Sequence, residues 1–401
     1  MSGQRTKAVG GMVFFGFCVV MLAVLRSAPA QSETESRYQP DKVGKWHPGG
    51  ISVDDGEAYG PAEQEHNIFL QKLQKLVAVF REAKTLKPPV GVEAGSGVGI
   101  NWGFSWNLDE TNPRPDVPVK GHVSISLSPY IINAVGRLDV DSGNPASLWI
   151  FVNDLEHIFT GTRETGKEVW EDGYGISSNT SMEDEQGSFF YAPQAAGVLQ
   201  GRPLYDCDAV VFTKIQKPPW IPVTRERFLR HAMDWAQKSA KAEQEMLNEQ
   251  KRSLAQLDKA DREEMEQRLN QNRLQSKQTA ADHPGWLRML PGEYLKALKA
   301  ELASLTPQER ASQAYLGDWK TGLRASGLVE SNEAEARPVV SVNPEFFNKS
   351  LPRAAFQSIV VIGLGSAEEA RRHSKKPDPA QLRILELKDA LDWNKVLALL
   401  D

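Results

Sequence analysis

Cysteine is scarce in this chain: there are two in 401 residues, Cys18 and Cys207. Cys18 falls in a segment expected to be removed, so no intramolecular disulfide can form afterwards and a small disulfide-stapled scaffold is excluded. The common catalytic signatures are missing too. No His-Glu-x-x-His, Cys-x-x-Cys or Gly-x-Ser-x-Gly occurs, which removes the familiar zinc-hydrolase and serine-esterase patterns; constellations built from residues distant in sequence stay open. Residues 91–99 are glycine-rich but lack the Lys-Ser/Thr ending of a phosphate loop, and predict a bulge or turn. Residues 359–370 hold Gly363-Leu364-Gly365 after a strand pattern, yet Glu368 stands where a dinucleotide fingerprint has its third glycine, and a carboxylate there would oppose a pyrophosphate. No cofactor is expected.

Metal-binding patterns are equally incomplete. Asp139 and Asp141 resemble the start of a calcium loop, but the twelfth position is Ile150 rather than a bidentate acid, so an ordinary turn is expected. His47, His66, His122 and His157 have no ligand spacing, and no metal is assigned. A basic excess is also absent. The formal net charge is −5 over the whole chain and becomes about −8 once Arg5, Lys7 and Arg26 are removed; scattered charge of this kind leaves no footprint for nucleic acid or anionic lipid.

The single long apolar run lies at residues 9–25, behind Arg5 and Lys7 and ahead of Ala28-Pro29-Ala30. Cations, an apolar stretch and an A-x-A site together predict a secretory signal peptide over residues 1–30, cleaved after Ala30. An uncleaved anchor is the alternative, since a run of about 17 residues just spans a bilayer. Cleavage leaves an exported, periplasmic or extracellular protein with no membrane segment.

Residues 31–60 are polar and rich in glycine and proline and predict a flexible lead-in, with Trp46 and Ile51 as docking points. Pro61, Glu63 and Glu65 start a helix whose apolar stripe is Ile68, Phe69, Leu73, Leu76, Val77 and Phe80. From residue 90 to 215 short runs of Val, Ile, Thr, Phe and Trp predict strands at 97–105, 119–127, 147–152 and 209–215, with no regular helices between them. That order favours an antiparallel sheet. Thr224 caps the next helix, with Val223 and Phe228 placed as a hydrophobic staple.

Residues 224–282 contain neither proline nor glycine and are dense in Ala, Gln, Glu, Lys, Arg and Leu. They predict a long charged helix, about 85 Å if unbroken, or a helical hairpin turning near Asp258 with a fresh start at Asp261 and Glu264. Leu247, Leu254 and Leu257 make only an interrupted coiled-coil seam. Further on, a helix is expected around 291–304 and another at Thr306-Pro307-Gln308-Glu309, strands at 339–342, 357–364 and 382–387, and a closing helix over 389–400. The chain thus divides into a signal peptide (1–30), a lead-in (31–60), an α+β sheet domain (61–222), the arm (223–283) and a C-terminal α/β region (284–401) that either completes the first sheet or forms its own. The expected class is α+β: a mainly antiparallel sheet body with flanking helices and a long charged helical arm or hairpin.

Two sets of residues carry chemistry. Asp154, Glu156 and His157 are the densest mixed cluster of titratable groups and follow a confident strand; in a strand-like continuation Asp154 and Glu156 share one side, as a general acid and base would. Trp102 and Trp106, four apart, face one side of a strand and can stack on sugar rings, although core packing is the ordinary use of an indole.

The segment Pro218-Pro-Trp-Ile-Pro-Val-Thr-Arg-Glu-Arg-Phe-Leu229 resembles a connector of exported bacterial proteins without assigned activity, and Asn343-Pro-Glu-Phe-Phe-Asn-Lys-Ser-Leu-Pro-Arg353 is similar to a segment of the same kind of protein. The resemblance implies a bacterial exported protein and transfers no catalytic residue. The function expected is a non-enzymatic binding or interaction protein of the cell envelope, with an envelope protein or glycan as partner, no nucleic acid, and an oligomeric state the sequence leaves open. The alternative is an exported hydrolase of glycans or peptides using Asp154, Glu156 and His157.

Overall fold

Alternation of small polar and branched apolar residues builds the body of the molecule. In the computed structural model, which describes residues 37–53, 63–101, 118–143, 145–159, 183–184, 187–205, 208–256, 265–271, 291–317, 324–333, 336–364 and 378–401, nine of the described strands form one sheet. They are β1 (Trp46–Val53), β2 (Val92–Asn101), β3 (Lys120–Ile132), β4 (Leu138–Val140), β5 (Ala146–Val152), β8 (Ala195–Leu199), β9 (Arg202–Tyr205), β10 (Val210–Thr213) and β14 (Ser358–Ile362). Their order is β1-β2-β3-β5-β14-β10-β9-β8, with β4 against β3. Only the β1–β2 pairing is parallel; every other pairing in this sheet is antiparallel. The α+β class is therefore as expected.

β14 runs between β5 and β10, pairing with both. The C-terminal region thus completes the first sheet across the whole helical insertion. Trp46–Val53, expected within a flexible lead-in, is instead an edge strand in register with β2, and Trp46 packs against the core.

One face of the sheet is covered by α1 (Glu63–Arg81), α6 (Pro379–Ala390) and α7 (Trp393–Leu397). Phe69, Leu73, Leu76 and Phe80 of α1 are fully buried there, while Ile68, placed on the same stripe from sequence, is 43% exposed. Residues 382–387 are helix, not strand. Asp378 accepts from Ala380 N with Pro379 at the first helical position, and Ala380, Ile384, Leu387 and Leu391 recur at helical spacing into the core. The expected closing helix is broken at Leu391, and Asp392 caps the short α7.

A second sheet is antiparallel: β11 (Trp220–Pro222), β13 (Arg337–Val342), β7 (Gly187–Tyr191) and β6 (Glu183–Asp184), with β12 (Tyr315–Leu316) on β13. The base of α2 (Arg225–Gln256) and α4 (Pro291–Ser304) pack on it through Phe228, Leu229, Ala232, Tyr294 and Leu298. Thr224 Oγ1 accepts from Arg227 N at 3.2 Å, and Val223 and Phe228 are both fully buried beside this cap. The capping box at Thr306 and Glu309, which starts α5 (Pro307–Ala311), forms as its sequence predicts.

α2 has 32 residues, about 48 Å of helix. Residues 265–271, α3, are helical as well. Trp235 near the base of α2 meets Tyr294 of α4 at 6.3 Å between ring centroids. An unbroken helix to His283 would end about 70 Å beyond Trp235, whereas the remaining stretch to Tyr294 spans at most about 40 Å fully extended. An unbroken rod does not fit this contact, and the turn of the alternative hairpin, near Asp258, lies outside the described residues. Among the described residues no helix is long and apolar enough to cross a membrane; residues 1–30 lie outside them.

Candidate functional site

The period of two along β3 assigns its side chains to opposite faces. Val123, Ile125 and Leu127 are fully buried in the core, and Lys120, His122, Ser124, Ser126 and Ser128 lie half-exposed on the other side. β2 meets them with glycine: Gly95 pairs with Ser126, Gly97 with Ser124 and Gly99 with His122. β5 supplies Trp149 opposite Ser124 and Phe151 opposite His122. The face is thus smooth on the β2 side and aromatic on the β5 side. Beyond Phe151 it is closed over by Leu155, Ile158, Val211, Phe346 and Val360.

Gly99 is required by this arrangement. A Cβ there would fall 2.1 Å from His122 Cε1 and 2.6 Å from its Nε2, so the imidazole rests on the bare glycine backbone. His122 lies 5.7 Å from Trp149 and 6.2 Å from Phe151 between ring centroids. Trp149, 41% exposed, stacks along Phe151 with an interplanar angle of 10°. On its other flank Phe151 carries His157, stacked at 3.5 Å.

The chain leaves β5 at Asn153, a left-handed residue with φ 57° whose side chain is fully buried. Asp154 follows at 7% exposure, then a single 3-10 turn over Glu156–Ile158. The strand-like continuation expected from sequence is absent. Asp154 is joined instead to His157, whose Nε2 lies 3.4 Å from Oδ2, and to Lys120, whose Nζ lies 3.3 Å from Oδ1. The Glu156 side chain lies outside the described ones, as do Trp102 and Trp106.

Electrostatics at this end centre on His122. Burial disfavours its imidazolium and pushes its pKa below the usual histidine range, the nearby His157 pushes the same way, and Asp154 opposes both. At the other end of the face Glu93 is gripped twice: Tyr130 Oη donates to Oε1 at 2.7 Å, and His47 Nε2 lies 3.0 Å from Oε2. The four histidines of the metal set are therefore split, with His47 on Glu93, His66 on α1, and His122 and His157 flanking Phe151. Among the described residues no three His, Cys, Asp or Glu side chains group as a metal ion would need. Asp139 and Asp141 sit in the β4 hairpin and its turn, where Asp141 Oδ1 accepts from Gly143 N at 3.3 Å.

Lys120, His122 and Trp149 were not joined by sequence reasoning. The signal was there as a matched pair of period-two patterns, glycine at 95, 97 and 99 against the polar 122, 124 and 126. No protein-family model, curated protein or solved structure matches the chain.

Proposed function

We propose that this chain is an exported binding protein of a bacterial cell envelope, and that the half-open sheet face around Trp149 engages a glycan. The observation that carries the reading is the position of Trp149: its indole is 41% exposed on a strand whose opposite face is core, between Ser124 of β3 and Ile362 of β14, with the Gly97 backbone beyond Ser124. A sugar ring stacks on such an indole through its apolar C–H face, while Ser124, Ser126 and His122 offer hydrogen bonds to its hydroxyls. The arm, charged and exposed over its described residues beyond the base, suits spacing or association rather than ligand chemistry.

Titrating the chain from residue 31 onwards with a panel of envelope and plant oligosaccharides, followed by tryptophan fluorescence and calorimetry, tests the proposal. At least one saccharide binds, and Trp149→Ala abolishes that binding while leaving the thermal unfolding transition in place. Binding indifferent to Trp149→Ala, or no binding across the panel, overturns it.

The hydrolase reading draws on one observation, the Asp154 carboxylate held against His157 and Lys120. In that reading Asp154 orients His157 as the acid–base group, and glycan or peptide cleavage is lost in His157→Gln.

A further inference from the structure

We propose that the glycan taken by this face carries a carboxylate, and that His122 receives that carboxylate together with a proton. The inference rests on the glycan reading above and adds the class of sugar and the residue that selects it.

The face is electrically lopsided. At one end its carboxylate, Glu93, is already held by Tyr130 and His47. At the other end Lys120, His122 and His157 surround the single described carboxylate, Asp154. Of these groups His122 is the one nearest the exposed indole, with ring centroids 5.7 Å apart, so a ring stacked on Trp149 carries its substituent over the imidazole. None of the hydrogen bonds among the described residues uses a His122 ring nitrogen, and the side chain is only half-buried. The cradle is built for it, since any side chain at position 99 would collide with the ring.

The groups facing His122 can be taken element by element. β2 presents the bare Gly99, β3 presents Lys120 on the same side, β5 presents Trp149 and Phe151, and the turn after β5 presents Asp154 and His157. Burial and His157 outweigh Asp154, so the free protein disfavours the imidazolium. An anion arriving within hydrogen-bond distance reverses that balance, because opposite charge favours the protonated form. The complex then holds one more proton than its free components, and by linkage affinity rises as pH falls through the range where His122 titrates, by up to about tenfold per pH unit. A neutral sugar gains nothing from that proton.

Calorimetry separates these outcomes with paired ligands that share a skeleton: oligomers of galacturonic acid, glucuronic acid and N-acetylmuramic acid, each alongside its methyl ester, at pH 5.0 and 7.5 and constant ionic strength. At least one acid form binds about tenfold or more tightly at pH 5.0 than at 7.5, its ester shows no such change, and His122→Gln removes the pH dependence of the acid form. Acid and ester binding alike, or a pH dependence that survives His122→Gln, overturns the inference and leaves glycan binding standing. If no saccharide binds and Trp149→Ala behaves as wild type, both readings fall together.

Discussion

The side-chain oxygen of Asn153 accepts a hydrogen bond from the backbone N–H of Gln357 at 2.8 Å, across 204 residues of chain. The same oxygen takes the N–H of Ser358 at 3.2 Å, and Nδ2 donates to the carbonyls of Val119 at 2.9 Å and Ala355 at 2.8 Å. One buried amide thus ties the approach to β3, the end of β5 and the start of β14, and it sets the direction in which Asp154 and His157 leave the sheet. Asparagine suits the position because it offers both donors and acceptors and tolerates a left-handed backbone.

Asn153→Ala leaves two N–H groups and two carbonyls without their partner and places a Cβ-restricted residue at φ 57°. Each buried polar group left unpaired costs about 1–3 kcal/mol, and partial relaxation brings the expected total to roughly 3–5 kcal/mol. Asn153→Gly relieves the backbone and recovers about 1 kcal/mol of that loss. Urea midpoints of the two variants check the prediction; a midpoint for Asn153→Ala equal to wild type contradicts it.

Gly99→Ala drives a methyl group into His122, whereas the same change at Gly95 meets no heavy atom nearer than 3.9 Å. The first is expected to destabilise by about 1–3 kcal/mol, as overpacking does, and to move the His122 imidazole off Trp149. The second is expected to be near neutral or mildly stabilising, because alanine narrows the unfolded ensemble. Thermal unfolding compares them, and the histidine ring resonances followed by NMR across pH 4 to 8 report whether His122 keeps its low titration midpoint in each.

Local signals in the sequence suffice where one segment decides its own structure. The cap at Thr224 with Val223 and Phe228, the box at Thr306 and Glu309, and the alternation through Val123, Ile125 and Leu127 all depend on neighbours a few residues apart. Residues 382–387 misled because their alternation of Leu and Ile with charge also fits a helix, and the deciding signal, Asp378-Pro379, stands just outside the run. The site was harder for a different reason. His122 on Gly99 and Trp149 beside His122 depend on strand register, Gly99 to His122 and His122 to Phe151, which no local pattern fixes. The left-handed turn at Asn153 was equally hidden, since its amide is satisfied by partners on either side of the arm.

The Tyr130 hydroxyl, buried and donating to Glu93, has its pKa pushed up to about 12, first by burial and then by the Glu93 carboxylate. The unfolded chain releases that proton near pH 10, so the folded state binds more protons between the two values. The stabilisation is complete below pH 10 and is lost as pH rises toward 12. Tyr130→Phe lacks this group: it is less stable than wild type by about 0.5–1.5 kcal/mol at pH 8, and the difference narrows at pH 10.5 and 11.5. Denaturant midpoints at the three pH values measure the gap, and a gap that stays constant counts against the Tyr130–Glu93 linkage.

Among its described residues the arm separates into a base that is core and a distal part that is exposed. Phe228, Leu229, Ala232 and Ala236 of α2 are buried with Tyr294 and Leu298 of α4, but Met246 is 53% and Met265 42% exposed, and the distal pairs that hold side chains together, such as Lys241 with Glu245, are surface ion pairs. Such pairs contribute at most about 1 kcal/mol each. Deleting residues 238–280 keeps the buried base, and residues 281–290 remain to join it to α4. The shortened protein is therefore expected to unfold in one cooperative transition, with a midpoint within a few degrees of the full chain, and to retain saccharide binding at Trp149. A broad, non-cooperative transition would show that the distal arm is part of the core, and lost binding with intact cooperativity would place ligand contacts on the arm itself.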